Sequence, residues 1–291
     1  MANFTDVDDL RQEGLDGAGE DGSDSTGRLY ARALTYLNQA YQMLWFRRPW
    51  RFARASTPGA FSSVAPISGI TCAITEGSTA GTFSESQSAD LAGRKILINQ
   101  NLYRLVSTSG GGSTTMTLDE AFREDTVTAG AVVVFQDEYD ISGITRMAYP
   151  VYIRDGVDGR RIDFTDEDDP DIQSNLANPN EGLATKFTLR DEVTVIFDQY
   201  SQDARRFEVE YVEYPADLAL AGSVDWPRWA RWILAVKLSA LLLVDKNDDR
   251  ALTKDRMAET GLAQLEEQEA WFGKTTHVPS DRNPYLSHTS R

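Results

Sequence analysis

Few residue groupings in this 291-residue chain have the types and spacing that chemistry requires. Its two histidines, His277 and His288, lie near the C-terminal end in a stretch poor in apolar residues, where nothing fixes the orientation a general base needs. A Ser-His-Asp arrangement is therefore not expected. Gly273-Lys274-Thr275-Thr276 resembles the end of a phosphate-binding loop, but the position of that loop's first glycine is Gln268, and no strand pattern precedes it. Acidic side chains abound and paired carboxylates could run glycoside hydrolysis, yet no spacing singles out one pair. No catalytic residue is assigned, and the chain is not expected to be an enzyme.

Ligand-holding patterns are equally sparse. Residues 163–171 carry six carboxylates around Pro170 and lead into Asn, Pro and Gly, the composition of an exposed loop. A calcium loop of the EF-hand kind needs glycine at its sixth position and glutamate at its twelfth; counted from Asp163 these are Asp168 and Ser174. The single cysteine, Cys72, permits no intrachain disulfide and no Cys-rich zinc site; it reads as a small buried apolar residue in a protein folded in a reducing compartment. No cofactor and no metal are expected.

Charge and hydropathy narrow the function classes further. With 41% hydrophobic and 25% charged residues, disorder of the whole chain is excluded. A net charge of −16 opposes tight wrapping of nucleic acid through the overall field. The most basic window, residues 28–54, carries six arginines and no acid. Within it Trp45, Phe46, Arg47, Arg48, Trp50, Arg51 and Phe52 alternate aromatic and cationic side chains, which suits either stacking on a single nucleic-acid strand or anchoring a protein interface. Residues 232–244 are nearly all apolar but include Lys237 and Ser239 and fall short of a membrane span, so no membrane contact is expected. Residues 1–24 lack the basic-then-apolar order of a secretion signal.

These side chains must be held by two helical segments that bracket a long stretch of strand-and-turn sequence. Tyr30, Leu34, Leu37, Tyr41 and Leu44 recur at helical spacing behind a cap at Ser25 or Thr26, and Pro49 should end that helix. Near the other end Asp225 reads as an N-cap, with Pro227 in the first turn; Trp226, Trp229, Ile233, Val236, Ala240 and Leu243 follow at three-four spacing, which places the tryptophans in the core. After a polar break at 246–250, Ala258, Leu262, Leu265 and Phe272 predict one more amphipathic helix. Between the helical segments, residues 70–75, 95–98, 102–106, 114–118 and 131–135 read as short strands of a small barrel or sandwich. Residues 193–197 and the alternating Phe207, Val209 and Tyr211 read as a long hairpin whose projecting tip includes Gln199, Tyr200 and Gln202.

The expected fold class is α+β: a helical bundle platform with an inserted small β-barrel or sandwich and a long β-hairpin. The expected domains are an acidic flexible N-terminal arm (1–27), a helical platform (28–56 and 216–272), an inserted β domain (57–150), an acidic loop with the β-hairpin (151–215) and an extended C-terminal tail (273–291). The arm holds eight acidic residues against Arg11 alone, which favours solvation. In the tail, Tyr285 and Leu286 are candidate docking residues.

Tyr36-Leu37-Asn38-Gln39-Ala40-Tyr41, with Trp45, Pro49 and Trp50, resembles the first helix of head-to-tail adaptor (head completion, or connector) proteins of tailed bacteriophages. Gly93 to Ile96, Tyr103-Arg104, Met116 to Asp119 and Phe135 to Ile141 resemble the β insertion of some members; Tyr211 to Leu218 and Asp225-Trp226-Pro227 resemble the step into the closing helices. The resemblance implies a structural virion protein with no catalytic activity. It would be a homo-oligomeric, dodecameric ring at the neck of the particle, assembled in the host cytoplasm, joining the portal protein to a tail or nozzle protein. DNA would pass through its channel without specific binding. It also implies portal contacts in the C-terminal tail (His277, Pro279, Pro284, Tyr285, Leu286, Arg291), and by analogy a tail-facing role for Gln199, Tyr200 and Gln202. Arg47, Arg48, Trp50 and Arg51 are candidates for pairing with a neighbouring subunit. The alternatives are another neck or tail component (stopper, tail tube or fibre-attachment protein) and, behind these, a nucleic-acid-binding module or a glycan-active enzyme.

Overall fold

The computed structural model describes residues 4, 6–23, 29–48, 50–87, 91–108, 113–220 and 222–276. In chain order it runs through helices α1 (Val7–Gly17) and α2 (Tyr30–Trp45), then strands β1 (Arg54–Ser62), β2 (Ile67–Ile74), β3 (Ala80–Gln87), β4 (Lys95–Ile98), β5 (Asn101–Thr108), β6 (Ser113–Leu118), β7 (Val127–Phe135), β8 (Glu138–Asp140), β9 (Met147–Asp155) and β10 (Arg161–Phe164). Helix α3 (Pro170–Ala177) precedes β11 (Lys186–Arg190), β12 (Thr194–Phe197) and β13 (Arg206–Glu213), and α4 (Arg231–Asp245) and α5 (Arg250–Thr276) follow. Two compact units result: a helical one from Met1–Arg54 with Tyr214–Arg291, and a β unit from Ala55–Glu213.

This overturns the expected fold class. The protein is mostly β, with thirteen strands among the described residues divided between a seven-stranded sheet and a closed six-stranded barrel, against five α-helices. It is not a helical bundle with a small insert. The strands that escaped notice lack the usual signature: β1 contains Pro58 and Gly59, β3 is rich in Ser and Glu, and β9 contains Pro150. Such strands form because neighbours complete their ladders, not because of intrinsic propensity.

The barrel closes in the order β2-β3-β6-β5-β4-β7 around Ile70, Cys72, Phe83, Ile96, Ile98, Leu105, Met116, Leu118, Val132 and Val134. Burial pushes the Cys72 thiol up to about 11, the behaviour of an inert core residue. Between β4 and β5 the ladder ends at the pair Ile98–Asn101, so Asn99 and Gln100 alone make the turn, both at positive φ (50° and 75°). That geometry matches the right-handed strand twist but strains residues with a Cβ.

The sheet runs β1-β13-β9-β10-β11-β12-β8. β10 and β11 are its parallel pair, joined through α3 because parallel neighbours need a crossover. The long hairpin expected from Val193 to Tyr211 does not exist: β12 pairs with β11 and β8, whereas β13 pairs with β9. The alternation of Phe207, Val209 and Tyr211 reports a strand with one buried face; it carries no information about which strand lies beside it.

In the helical unit the acidic N-terminal arm is a correction as well. α1 is capped by Asp6, which accepts from the Asp9 N–H at 2.9 Å, and Asp8 and Asp9 sit where the helix dipole favours anions. Val7, Leu10 and Leu15 are buried. Arg11, the arm's one cation, is buried too, paired with Asp8 at 2.5 Å and 3.7 Å from the Tyr30 ring centre. Three apolar side chains on one face outweigh a composition that favours solvation. α4 is the central element, packed by α1, α2 and α5. Gly14 lies so close that a Cβ there would collide with Leu238. Arg231 donates to the carbonyls of Trp226 (3.1 Å), Phe4 (2.8 Å) and Val224 (2.6 Å).

Two helix ends also differ from expectation. Asp225 is not the cap of α4; a 3-10 turn, Arg228–Ala230, intervenes. α5 runs to Thr276, so Gly273 to Thr276 belong to a helix and not to an extended tail. Ser25 and Thr26 lie outside the described residues, and Leu29 stands at the N-cap position of α2 without a side-chain bond.

Candidate functional site

The aromatic and arginine run after α2 forms an inward-facing elbow. Trp50 is fully buried, donates from Nε1 to the Leu44 carbonyl at 2.9 Å and stacks on Phe52 with ring centres 5.6 Å apart. Trp226 meets Trp50, Phe52 and Tyr41 edge-on at 5.8, 5.0 and 6.4 Å. Trp45, also buried, closes the cluster against Tyr41 and Phe52. Stacking on a nucleic-acid strand requires exposed ring faces, which Trp45 and Trp50 do not have. Arg47 pairs with Glu259 (2.5 Å) and Glu266 (3.2 Å) on α5 of its own chain, and the Glu259 bond raises its pKa. Arg48 lies over Trp50 at 5.3 Å; Arg51 is exposed, and its backbone N–H donates to Glu269 at 3.2 Å.

Gln199, Tyr200 and Gln202 lie in the crossover between β12 and β13. Tyr200 is buried and stacks on Phe135 with centres 4.3 Å apart; its N–H donates to the Asn180 carbonyl at 3.0 Å, and its own carbonyl accepts from Gly182 at 2.9 Å. Gln202 is exposed and Gln199 half-buried. This segment is tied down on the β unit and is not a projecting tip. The candidate tail residues His277, Pro279, Pro284, Tyr285, Leu286 and Arg291, with His288, lie outside the described residues.

Polar chemistry concentrates in one buried cluster, which sequence reading missed. Lys95 of β4 contacts Asp137 at 2.9 Å and Glu138 at 3.0 Å; Arg104 of β5 and Arg190 of β11 reach Glu138 at 2.7 and 3.4 Å, and Asn175 of α3 donates to Asp137 at 3.1 Å. Burial alone would raise the Glu138 pKa, but the bonds from Arg104 and Lys95 outweigh it and hold the carboxylate down at about 2. Asp137 behaves oppositely: burial raises its pKa more than Lys95 lowers it, and its Oδ1 has no hydrogen-bond partner among the described residues. The cluster joins barrel strands β4 and β5 to sheet strands β8 and β11. Glu138 and one oxygen of Asp137 are taken up by cations and Asn175, so the cluster's chemistry is cohesion.

The acidic segment 163–171 resolves into the end of β10, a loop and the start of α3. Asp169 caps α3 through the Asp171 N–H (2.9 Å) and, with Asp171, binds Lys186 at 3.0 and 2.6 Å. The Lys186 bond holds Asp169 at about 2. No group of three or more metal-ligating side chains occurs among the described residues. A shallow cavity of about 260 Å³ bordered by Pro58, Gly59, Gly156, Arg206, Phe207 and Glu208 offers no nucleophile and base together. No helix among the described residues is long and apolar enough to cross a membrane.

What remains is contact surface, and one of its residues, Trp229, lies where sequence reading placed core. Trp229 is 45% exposed, because Trp226 precedes the 3-10 turn and the extended Pro227 (ψ 128°) between them breaks the helical spacing that the sequence implied. Met43 is 57% exposed, and Phe46 meets Tyr214 (53% exposed) edge-on at 5.6 Å, a small apolar patch along the outer side of α2. In comparisons with known proteins the sequence matches no protein-family model and no curated protein.

Proposed function

We propose that this chain is a non-enzymatic structural subunit of a tailed-phage virion: a head-to-tail adaptor that forms a homo-oligomeric ring, a dodecamer by analogy, between the portal and the tail and lines part of the DNA channel. The observation that carries this is the display of Trp229, Met43, Phe46 and Tyr214 on a rigid helical unit assembled from both ends of the chain. Large apolar side chains held outward favour protein contact. The buried ion cluster and the tightly packed aromatic elbow add rigidity, which suits a load-carrying joint better than a catalyst. An acidic subunit also presents a repulsive lumen, so DNA passes without being held.

The test is genetic. In a phage that encodes this chain, disrupting its gene should give DNA-filled heads without tails in electron micrographs, and supplying the chain in trans should restore tailed particles. Infectious tailed particles assembled without it would overturn the proposal.

A further inference from the structure

Helix α4 gives the helical unit two distinct ends. Arg231 at its start donates to Phe4, and Lys246 just past its end donates to the Ala18 carbonyl at 3.1 Å, so α1 runs beside α4 in the same direction. α2 runs the opposite way: Arg32 near its start pairs with Asp245 at the end of α4 (3.1 Å), while Tyr41 near its finish packs on Trp226 ahead of α4. At the starting end of α4 stand the exposed Arg51, Arg228 and Trp229. Toward the other end, Glu13 and Asp16 sit three residues apart on the exposed face of α1. The 15 residues of α4 separate these ends by roughly 22 Å.

Several neighbouring charges are committed within the chain, although Asp225 is exposed three residues before Arg228 and Lys254 Nζ lies close to Gly17. Arg47 is neutralised by Glu259 and Glu266; at the far end Lys246 pairs with Glu20 and Arg250 with Asp248. Arg51 and Arg228 are left outward at one end, Glu13 and Asp16 at the other. Asp16 still accepts from the Gly22 N–H through one oxygen, and Glu269 accepts from the Arg51 backbone N–H. Complementary charge at opposite ends of one body matches a head-to-tail contact between copies, which closes into a ring when the rotation permits.

We propose that Trp229, with Arg228 and Arg51 at the same end, docks against the Glu13 and Asp16 face of α1 in a second copy of this chain. The contact rests on the ring-subunit reading and specifies its interface. Tryptophan supplies the buried anchor and the arginines set partner and orientation.

The full-length chain in sedimentation velocity, over a concentration series at low and high salt, tests this contact. Wild type should self-associate, and less so in salt that screens exposed charges. The double variants R51E/R228E and E13K/D16K should each weaken association about tenfold or more, and the chain carrying all four changes should recover it. Trp229→Ala should weaken association with an unchanged circular dichroism spectrum, which separates loss of the anchor from loss of the fold. A wild-type chain that stays monomeric throughout, reversals without effect, or no recovery in the fourfold variant would overturn the contact. Rings at the neck that withstand both reversals would sink this interface and leave the adaptor function standing; absence of the chain from the neck would sink the function itself.

Discussion

Glu138→Gln should destabilise the β unit by about 2 kcal/mol at neutral pH and leave the helical unit unaffected. The carboxylate takes bonds from Lys95, Arg104 and Arg190, which hold it at about 2 against its ordinary 4.5. At roughly 1.4 kcal/mol per pH unit this corresponds to at most about 3.5 kcal/mol. Arg104 and Arg190 are 38% and 35% exposed, and solvent screening brings the figure to about 2. Because the folded pKa is depressed, this stability is present above about 4.5 and is lost as pH falls toward 2; the variant should lack that part of the acid transition. Asp137→Asn should behave differently. Its raised folded pKa means that the ionised carboxylate opposes folding as pH rises through that value, so the isosteric amide should cost less than the Glu138 change or even stabilise. All six tryptophans lie in the helical unit, so tryptophan fluorescence reports that unit during urea unfolding, while far-UV circular dichroism includes the β unit. A Glu138→Gln midpoint equal to wild type, or an Asp137→Asn loss larger than the Glu138→Gln loss, would refute the assignment of cohesion to Glu138.

Gln100→Gly should raise β-unit stability by about 0.5–1 kcal/mol, because Gln100 holds φ at 75° in a two-residue turn where Asn-Gly is favoured; a lower urea midpoint would contradict the turn geometry. Gly14→Ala should lower the tryptophan-detected midpoint by about 1–3 kcal/mol through the clash with Leu238, without moving the β-unit transition. Cys72 should resist a thiol-specific dye at pH 8 in the native protein and react at once in denaturant, since it is buried with its thiol pushed up to about 11.

The periodic parts of the fold were legible because one buried face leaves a repeat in the sequence. Leu37, Tyr41 and Leu44 marked α2, the run 95–98 coincides with β4, and 102–106 falls inside β5. What failed was everything decided by neighbours. β1 and β9 carry proline and little alternation, and β13 showed its buried face without naming β9 as its partner. α1 was hidden by the acidity of its surroundings, since Leu10 and Leu15 are few beside the eight carboxylates of residues 1–27. The Lys95 cluster joins residues up to 95 positions apart, from Lys95 to Arg190, with no local signature. Trp229 was misplaced because the helical spacing was counted through Pro227, which is extended and not helical. Of the candidate contact residues, Trp50 and Tyr200 are buried within the chain and Arg47 pairs with Glu259.

The central claim, that this chain is a ring subunit between portal and tail, is tested most directly by a cryo-electron microscopy reconstruction of the neck of particles that carry it. The account predicts a closed ring of copies of this chain at the base of the portal, with DNA in an acidic lumen and Trp229 buried against the next copy. A neck whose density contains no copy of this chain would contradict it.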